Sequence, residues 1–237
     1  MDKSDLTHHY SQRFNSDLEH IRSRVLEMGG LVEQQLGMAI KALNQGESDA
    51  AETVVSNDYK VNAFDVEIDE RCTNILALRQ PTASDLRLVL AVIKMTADLE
   101  RIGDEAKRVG RMAIRAASGE HGRNLFGQIA HLGTLVQQML HRALDAFARI
   151  DVNEAIEVVH EDVDIDREYE SVMRQAMTYM MEDPRSIPSV LDLIWAARAL
   201  ERIGDRCCNI SEYIIYLVKG KDVRHTSLDQ IKKEFGR

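Results

Sequence analysis

Leu99-Glu100-Arg101-Ile102-Gly103-Asp104 reads LERIGD, and the same six residues return unaltered from Leu200 to Asp205. Upstream of each copy stands a second matching pair, DVEID at 65 to 69 and DVDID at 162 to 166. The two offsets, 101 and 97 residues, are nearly equal, so the chain contains one unit of about a hundred residues written twice. A repeat of that length implies two tandem bundles related by a pseudo-twofold, because solenoid units run to only about 20 to 50 residues.

Around the motifs the apolar residues keep helical spacing. Leu18, Ile21, Val25, Met28, Val32, Leu36, Ala39 and Leu43 step by three and four, which predicts a first helix ending near Gln45-Gly46. A second is expected from Ser48-Asp49 to the residues before Gln80-Pro81, with a seam through Asp58, Val61, Asp65, Ile68, Cys72 and Ile75. The third opens between Thr82 and Asp85 and runs through Val89, Ile93, Thr96, Glu100, Gly103, Lys107, Gly110 and Ile114. A loop over Ala117 to Gly122 separates the halves, with the boundary expected near Ser118 to Gly122. The fourth helix carries Leu125, Ile129, Leu132, Val136, Met139, Ala143, Ala146 and Ile150. The fifth carries Ala155, Val158, Asp162, Ile165, Tyr169, Val172 and Ala176, and the sixth runs from Pro188 to Lys219-Gly220. The fold class expected is therefore all-α, two tandem three-helix bundles over 1–120 and 121–220, followed by a loose polar tail over 221–237.

Composition agrees. Hydrophobic residues make up 44%, aromatics only 5%, and there are only three prolines, a balance that favours long helices over sheet. A net charge of −9 argues against nucleic acid as a partner, since that affinity comes from clustered Lys and Arg. The opening MDKSDLTHHY has no apolar core for a signal peptide, and no run of about 18 apolar residues occurs. A soluble, cytoplasmic protein without membrane insertion is expected. Cys72, Cys207 and Cys208 lack CxxC spacing and are expected to be reduced structural thiols.

Eight acids stand out. Residues i and i+4 share a helix face, so Asp65 pairs with Asp69, Glu100 with Asp104, Asp162 with Asp166, and Glu201 with Asp205. If the second and third helices are antiparallel neighbours, residues at one height share an index sum. Asp65 with Asp104 and Asp69 with Glu100 both sum to 169, and Asp162 with Asp205 and Asp166 with Glu201 both sum to 367. Each sum centres on the expected turn, so four carboxylates converge in each half. Such a cluster raises its own pKa values unless a cation balances it, and oxygen ligands suit magnesium or manganese, with iron or zinc also able to bind. Gly103 and Gly204 fit close helix approach at these places. The alternative is neutralisation by Arg101, Arg202, Arg71, Arg108 or Lys94. A Glu-x-x-His match at Glu157 to His160 has no counterpart in the first half and is read as chance. No phosphate loop, GxSxG or HExxH occurs, which argues against an enzyme.

Several segments together resemble the PhoU family of phosphate-specific transport accessory proteins: FNSDLEHIRSRVLEMGGLVEQQL at 14 to 36, RQPTASDLRLVL at 79 to 90, MLHRALDAFARID at 139 to 151, both LERIGD motifs, and YLVKGKDVRH at 216 to 225. The resemblance implies a homodimer of two three-helix bundles that represses the phosphate (Pho) regulon when phosphate is plentiful. It implies an adaptor linking the ATPase of the phosphate ABC transporter at the membrane to the phosphate sensor histidine kinase. The family's E(D)xxxD motifs, which hold divalent or multinuclear metal in some members, fall on the eight acids named above. After the first LERIGD the chain reads EAKRVG, and after the second RCCNIS, with the family's Asn at 209; the first site is therefore expected to hold metal differently. The competing expectations are a metal-dependent enzyme using the same clusters, and a purely structural scaffold.

Overall fold

The computed structural model describes residues 12–45, 47–117 and 123–235. Its elements are α1 (Gln12–Gln45), α2 (Ser48–Asn57), α3 (Tyr59–Arg79), α4 (Ala83–Ala117), α5 (Arg123–Arg149), α6 (Val152–Glu182), a short 3₁₀ turn (Pro184–Ser186), α7 (Ile187–Lys219) and α8 (Leu228–Phe235). Among the described residues there is no strand. Of the expected loop between the halves, Ala117 instead ends α4, and Ser118 to Gly122 lie outside the described residues, as does Gly46.

The stripes predicted for the first and fourth helices form the core. Leu18, Ile21, Val25, Met28, Val32, Leu36, Ala39 and Leu43 of α1 are all buried, and so are Leu125 through Ala146 of the stripe on α5. The α3–α4 and α6–α7 hairpins form as expected, and equivalent helices then pack on each other, α4 along α7 and α1 along α5. Glu105 meets Arg202 and Arg115 meets Asp192, both pairs with an index sum of 307, so α4 and α7 run antiparallel. The same sum belongs to Gly103 with Gly204, which puts the crossing of the two long helices at the repeated motif. This is the packing a pseudo-twofold requires. One continuous apolar core spans both repeats, so the seams of the two halves merge across the junction.

Two expectations need correction. The single second helix is two, α2 and α3, interrupted at Asp58, whose backbone stays right-handed (φ −55, ψ −34). With no Gly or Pro there, the break leaves no local signal. Its cost is reduced by the buried Gln35 side chain, which donates to the freed Asn57 carbonyl at 3.3 Å. The tail is not loose throughout: α8 packs on α6, with Val223 and Ile231 buried. Lys219 and Lys221 lie over the Phe235 ring, each 5.7 Å from its centroid. No helix is long and apolar enough to cross a membrane among the described residues.

Candidate metal centre

Asp65 and Asp69 project from α3 toward α4, which carries Glu100 and Asp104; Asp162 and Asp166 project from α6 toward α7, which carries Glu201 and Asp205. In each hairpin Asp69 or Asp166 and Asp104 or Asp205 are exposed, while Asp65 or Asp162 and Glu100 or Glu201 sit deeper, so each cluster is a groove open on one side. Among the described residues no three carboxylate, imidazole or thiol groups are drawn close enough to form a finished ligand set.

The electrostatics nonetheless tie the acids across the helices. Burial raises the Glu100 carboxyl, and the charges of Asp104 and of Asp65 opposite raise it further. Asp65 is raised by burial and by Asp69. In the second repeat burial, Asp166 and Asp205 push Asp162 to about 6, against a donated Cys208 thiol hydrogen bond that lowers it. Glu201 is raised by burial, by Asp205 and by Asp166 and Asp162 across the groove, with Arg198 opposing. In the second repeat the coupled acids include those that share an index sum, Asp162 with Asp205 and Asp166 with Glu201; in the first, Glu100 is coupled across the helices to Asp65 and Asp58 instead of Asp69.

Gly103 and Gly204 are there for close approach. A Cβ on Gly103 would stand 3.2 Å from Val61, and one on Gly204 would stand 3.2 Å from Ile165 and 3.4 Å from the Oδ1 of Asp162.

The bases proposed as neutralisers bond elsewhere. Arg71 takes Glu67 at 3.0 Å, Arg108 and Arg202 both take Glu105 at 3.0 Å, Arg101 reaches Asp98 at 3.4 Å, and Lys94 lies over the Tyr213 and Tyr216 rings. Among the described residues the bases bonded at the clusters are two others. In the second repeat Arg198 holds one oxygen of Glu201. In the first, Lys107 bonds Asp58 and lies 3.8 Å from Asp104.

That lysine separates the two clusters. By the repeat offsets, Asp58 corresponds to Ala155 and Lys107 to Cys208, so the first cluster contains its own ammonium group and an additional acid. The second contains a methyl and a thiol. Its Glu201 is 8% exposed, and the Oε2 atom is buried with no hydrogen-bond partner. A buried carboxylate oxygen without a partner, coupled through charge to three further carboxylates, has the chemistry that suits a hard divalent cation, although the four are not drawn together into a ligand set. Of the two clusters, Asp162, Asp166, Glu201 and Asp205 come nearer to that chemistry. Asp65, Asp69, Glu100 and Asp104 fit it less well, because Lys107 lies beside Asp104 and none of their oxygens is left buried without a partner; Arg198 balances part of the second cluster in the same way. Neither Lys107 nor Asp58 was singled out from sequence, although both lie on the predicted seams; their index sum falls a helical turn short of the acid pairs.

The cysteines are free, and burial, the largest cause in each, raises Cys72 to about 12 and Cys207 and Cys208 higher still, which keeps all three as thiols.

A family model described as "PhoU domain" matches residues 25–113 and again 129–214, one match in each repeat. A protein of Escherichia coli named phosphate-specific transport system accessory protein PhoU is 52% identical over 233 residues, 98% of this chain and 96% of the relative. The crystal structure of PhoU from Pseudomonas aeruginosa superposes with a TM-score of 0.85 at 49% identity, covering 88% of this chain and 100% of that one. The phosphate transport system regulatory protein PhoU from Streptococcus pneumoniae gives 0.82 at 28% identity, with 89% and 99% covered. Matched twice by the family model and aligned along almost its whole length with these relatives, the chain belongs to the PhoU family of phosphate-specific transport accessory proteins.

Proposed function

We propose that the chain is a negative regulator of the phosphate regulon, a cytoplasmic, non-catalytic adaptor between the phosphate ABC transporter ATPase and the phosphate sensor histidine kinase, acting as a homodimer. The observation that carries an adaptor role is an apolar band around the α6–α7 turn: Met177, Met181, Ile187, Leu191 and Trp195 are all exposed, Trp195 at 55%. Ile187, Leu191 and Trp195 follow one another at i+4 along α7, so they form one face, and large apolar faces of this kind mark protein contacts. The relatives' names, transport accessory protein in one case and regulatory protein in another, support the direction.

In this reading the second carboxylate cluster holds a divalent metal by Asp162, Asp166, Glu201 and Asp205. Bound there, the cation cancels the repulsion of the acids and ties α6 to α7, which fixes the surface those helices present.

The test is genetic and biochemical. Deleting the gene should leave phosphate-starvation genes switched on in phosphate-rich medium, and complementation with Leu191→Asp/Trp195→Asp should fail although the variant folds. Starvation genes that stay silent in the deletion strain would overturn the regulator assignment. Complementation by the double variant would overturn the apolar band as its contact surface.

A further inference from the structure

Where α4 crosses α7, the surface opens into a cleft of about 410 Å³ lined by six basic residues and by two acids, Glu105 and, from the first carboxylate cluster, Asp104. Arg101, Lys107, Arg108 and Arg111 come from α4, and Arg202 and Arg206 from α7. Arg101 and Arg202 are the same residue of the two LERIGD copies, brought together because the helices cross at that motif.

Bases outnumber acids along the lining. Glu105, nine-tenths buried, holds Arg108 on one oxygen and Arg202 on the other, each at 3.0 Å. Asp98, 1% exposed, lies 3.4 Å from both Arg101 and Arg206 and accepts from Tyr213 at 2.9 Å. Lys107 is shared between Asp58 and Asp104. Among the described residues Arg111 has no ion-pair partner. Six cations thus line the cleft against two carboxylates, Asp104 and Glu105, with Asp58 and Asp98 pairing Lys107, Arg101 and Arg206, and with Glu100 and Asp205 acting on arginines of the lining through their charge.

We propose that this cleft binds a phosphate anion of two or more charges. Guanidinium groups present paired donors that match phosphoryl oxygens. The buried Asp98 and Glu105 hold four of these arginines in place before any ligand arrives, which lowers the ordering cost of binding. The excess of bases over acids along the lining suits a dianion, and the volume admits orthophosphate or a short condensed phosphate. The site depends on neither the metal nor the partner contacts proposed above.

The test is calorimetric titration of the full chain with orthophosphate and, separately, pyrophosphate, with chelator present to exclude metal bridging and chloride kept low. Saturable binding of one anion per chain is expected, and the anion that binds tighter identifies the free or the condensed form. Arg111→Glu, exposed and unpaired, should weaken it about ten- to a hundredfold, the weight of a charge-assisted contact. Arg108→Gln should weaken it less, and Lys60→Glu, an equal charge reversal on α3, should change it little. Absence of saturable binding by both anions, or equal losses for Arg111→Glu and Lys60→Glu in variants with unchanged helical content, would overturn the proposal.

Discussion

Replacing Lys107 with Met should destabilise the fold, and the structure sets the scale. Lys107 bonds Asp58, whose side chain is only 7% exposed, while the lysine itself keeps 21%. Stranding a fully buried charge costs about 3–5 kcal/mol, and losing an exposed pair costs about 0–1. A carboxylate this buried, with a partner one-fifth exposed, falls between, at about 2–3 kcal/mol. For a chain of this size that lowers the Tm by about 5–10 °C. The second repeat shows how to undo it, since Ala155 and Cys208 occupy the corresponding places. Asp58→Ala/Lys107→Cys should therefore recover to within about 1 kcal/mol of the parent, because a buried ion pair replaced by apolar groups is close to neutral. Thermal unfolding by circular dichroism measures both. The same double variant should bind more divalent metal than the parent by elemental analysis, since the first cluster has then lost its internal cation. A single variant with unchanged Tm, or a double variant as unstable as the single, would refute the view that Lys107 balances the first cluster.

Glu201→Ala/Asp205→Ala should remove the larger part of the bound divalent metal, and an unchanged metal content by elemental analysis would sink the assignment of the second cluster. Glu212 is pushed up to about 7 by burial first and then by Asp222, against Arg224. The folded chain then holds that proton more tightly than the unfolded chain, so this carboxyl lowers stability as pH rises from about 4.5 to about 7. Glu212→Gln should flatten that part of the urea-midpoint profile and stabilise the protein at pH 8; an unaltered profile would refute it. Asp222, held at about 2 by the Arg224 hydrogen bond, acts with opposite sign and in a separate, lower window. Gln80 ends α3 in the left-handed region (φ 46), where a side chain costs about 1–2 kcal/mol. Gln80→Gly should raise stability by about 0.5–1 kcal/mol after the entropy of glycine is counted, and a lower Tm would contradict this.

The helices, their hairpins and the placing of the eight acids on paired helices were legible because each rests on spacing within one helix or on a short turn that forces neighbours antiparallel. What lay beyond reach depended on which helix faces which. Arg101 and Glu100 are adjacent in sequence, and sequence alone treats the arginine as a ready partner for the acid. Adjacent helical residues point about 100° apart, however, and the arginine turns to Asp98 of its own helix, on the side that lines the cleft with α7. The break at Asp58 was invisible for a different reason: its backbone scarcely leaves helical geometry, and the carbonyl it frees is satisfied by Gln35, far away in sequence. Helix α8 was passed over because its segment is polar, yet Ile231 and Phe235 already stand four apart.

The geometry of the repeated motif also couples its two charged sides. On α7 the acids Glu201 and Asp205 face α6, while Arg202 and Arg206 face α4, so a carboxylate and a guanidinium of one helix are separated by roughly its own diameter, about 10 Å. Two elementary charges that far apart in water interact by about 0.4 kcal/mol. Removing two negative charges from the second cluster changes the potential felt by a phosphate dianion by about four such terms, and screening at physiological salt reduces the total to about 0.6 kcal/mol. Glu201→Gln/Asp205→Asn should therefore tighten phosphate binding in chelator by about threefold, with the effect fading as salt is raised. The sign is the informative part. If the acids helped to form the anion site by holding its arginines, their removal would weaken binding. Asp98 and Glu105 perform that holding from α4, while Asp205 reaches Arg202 and Arg206 through its charge, so the acids on α7 act on the cleft by charge and as like charges to the anion. An unchanged or weakened phosphate affinity in the double variant would refute this separation of the two sides.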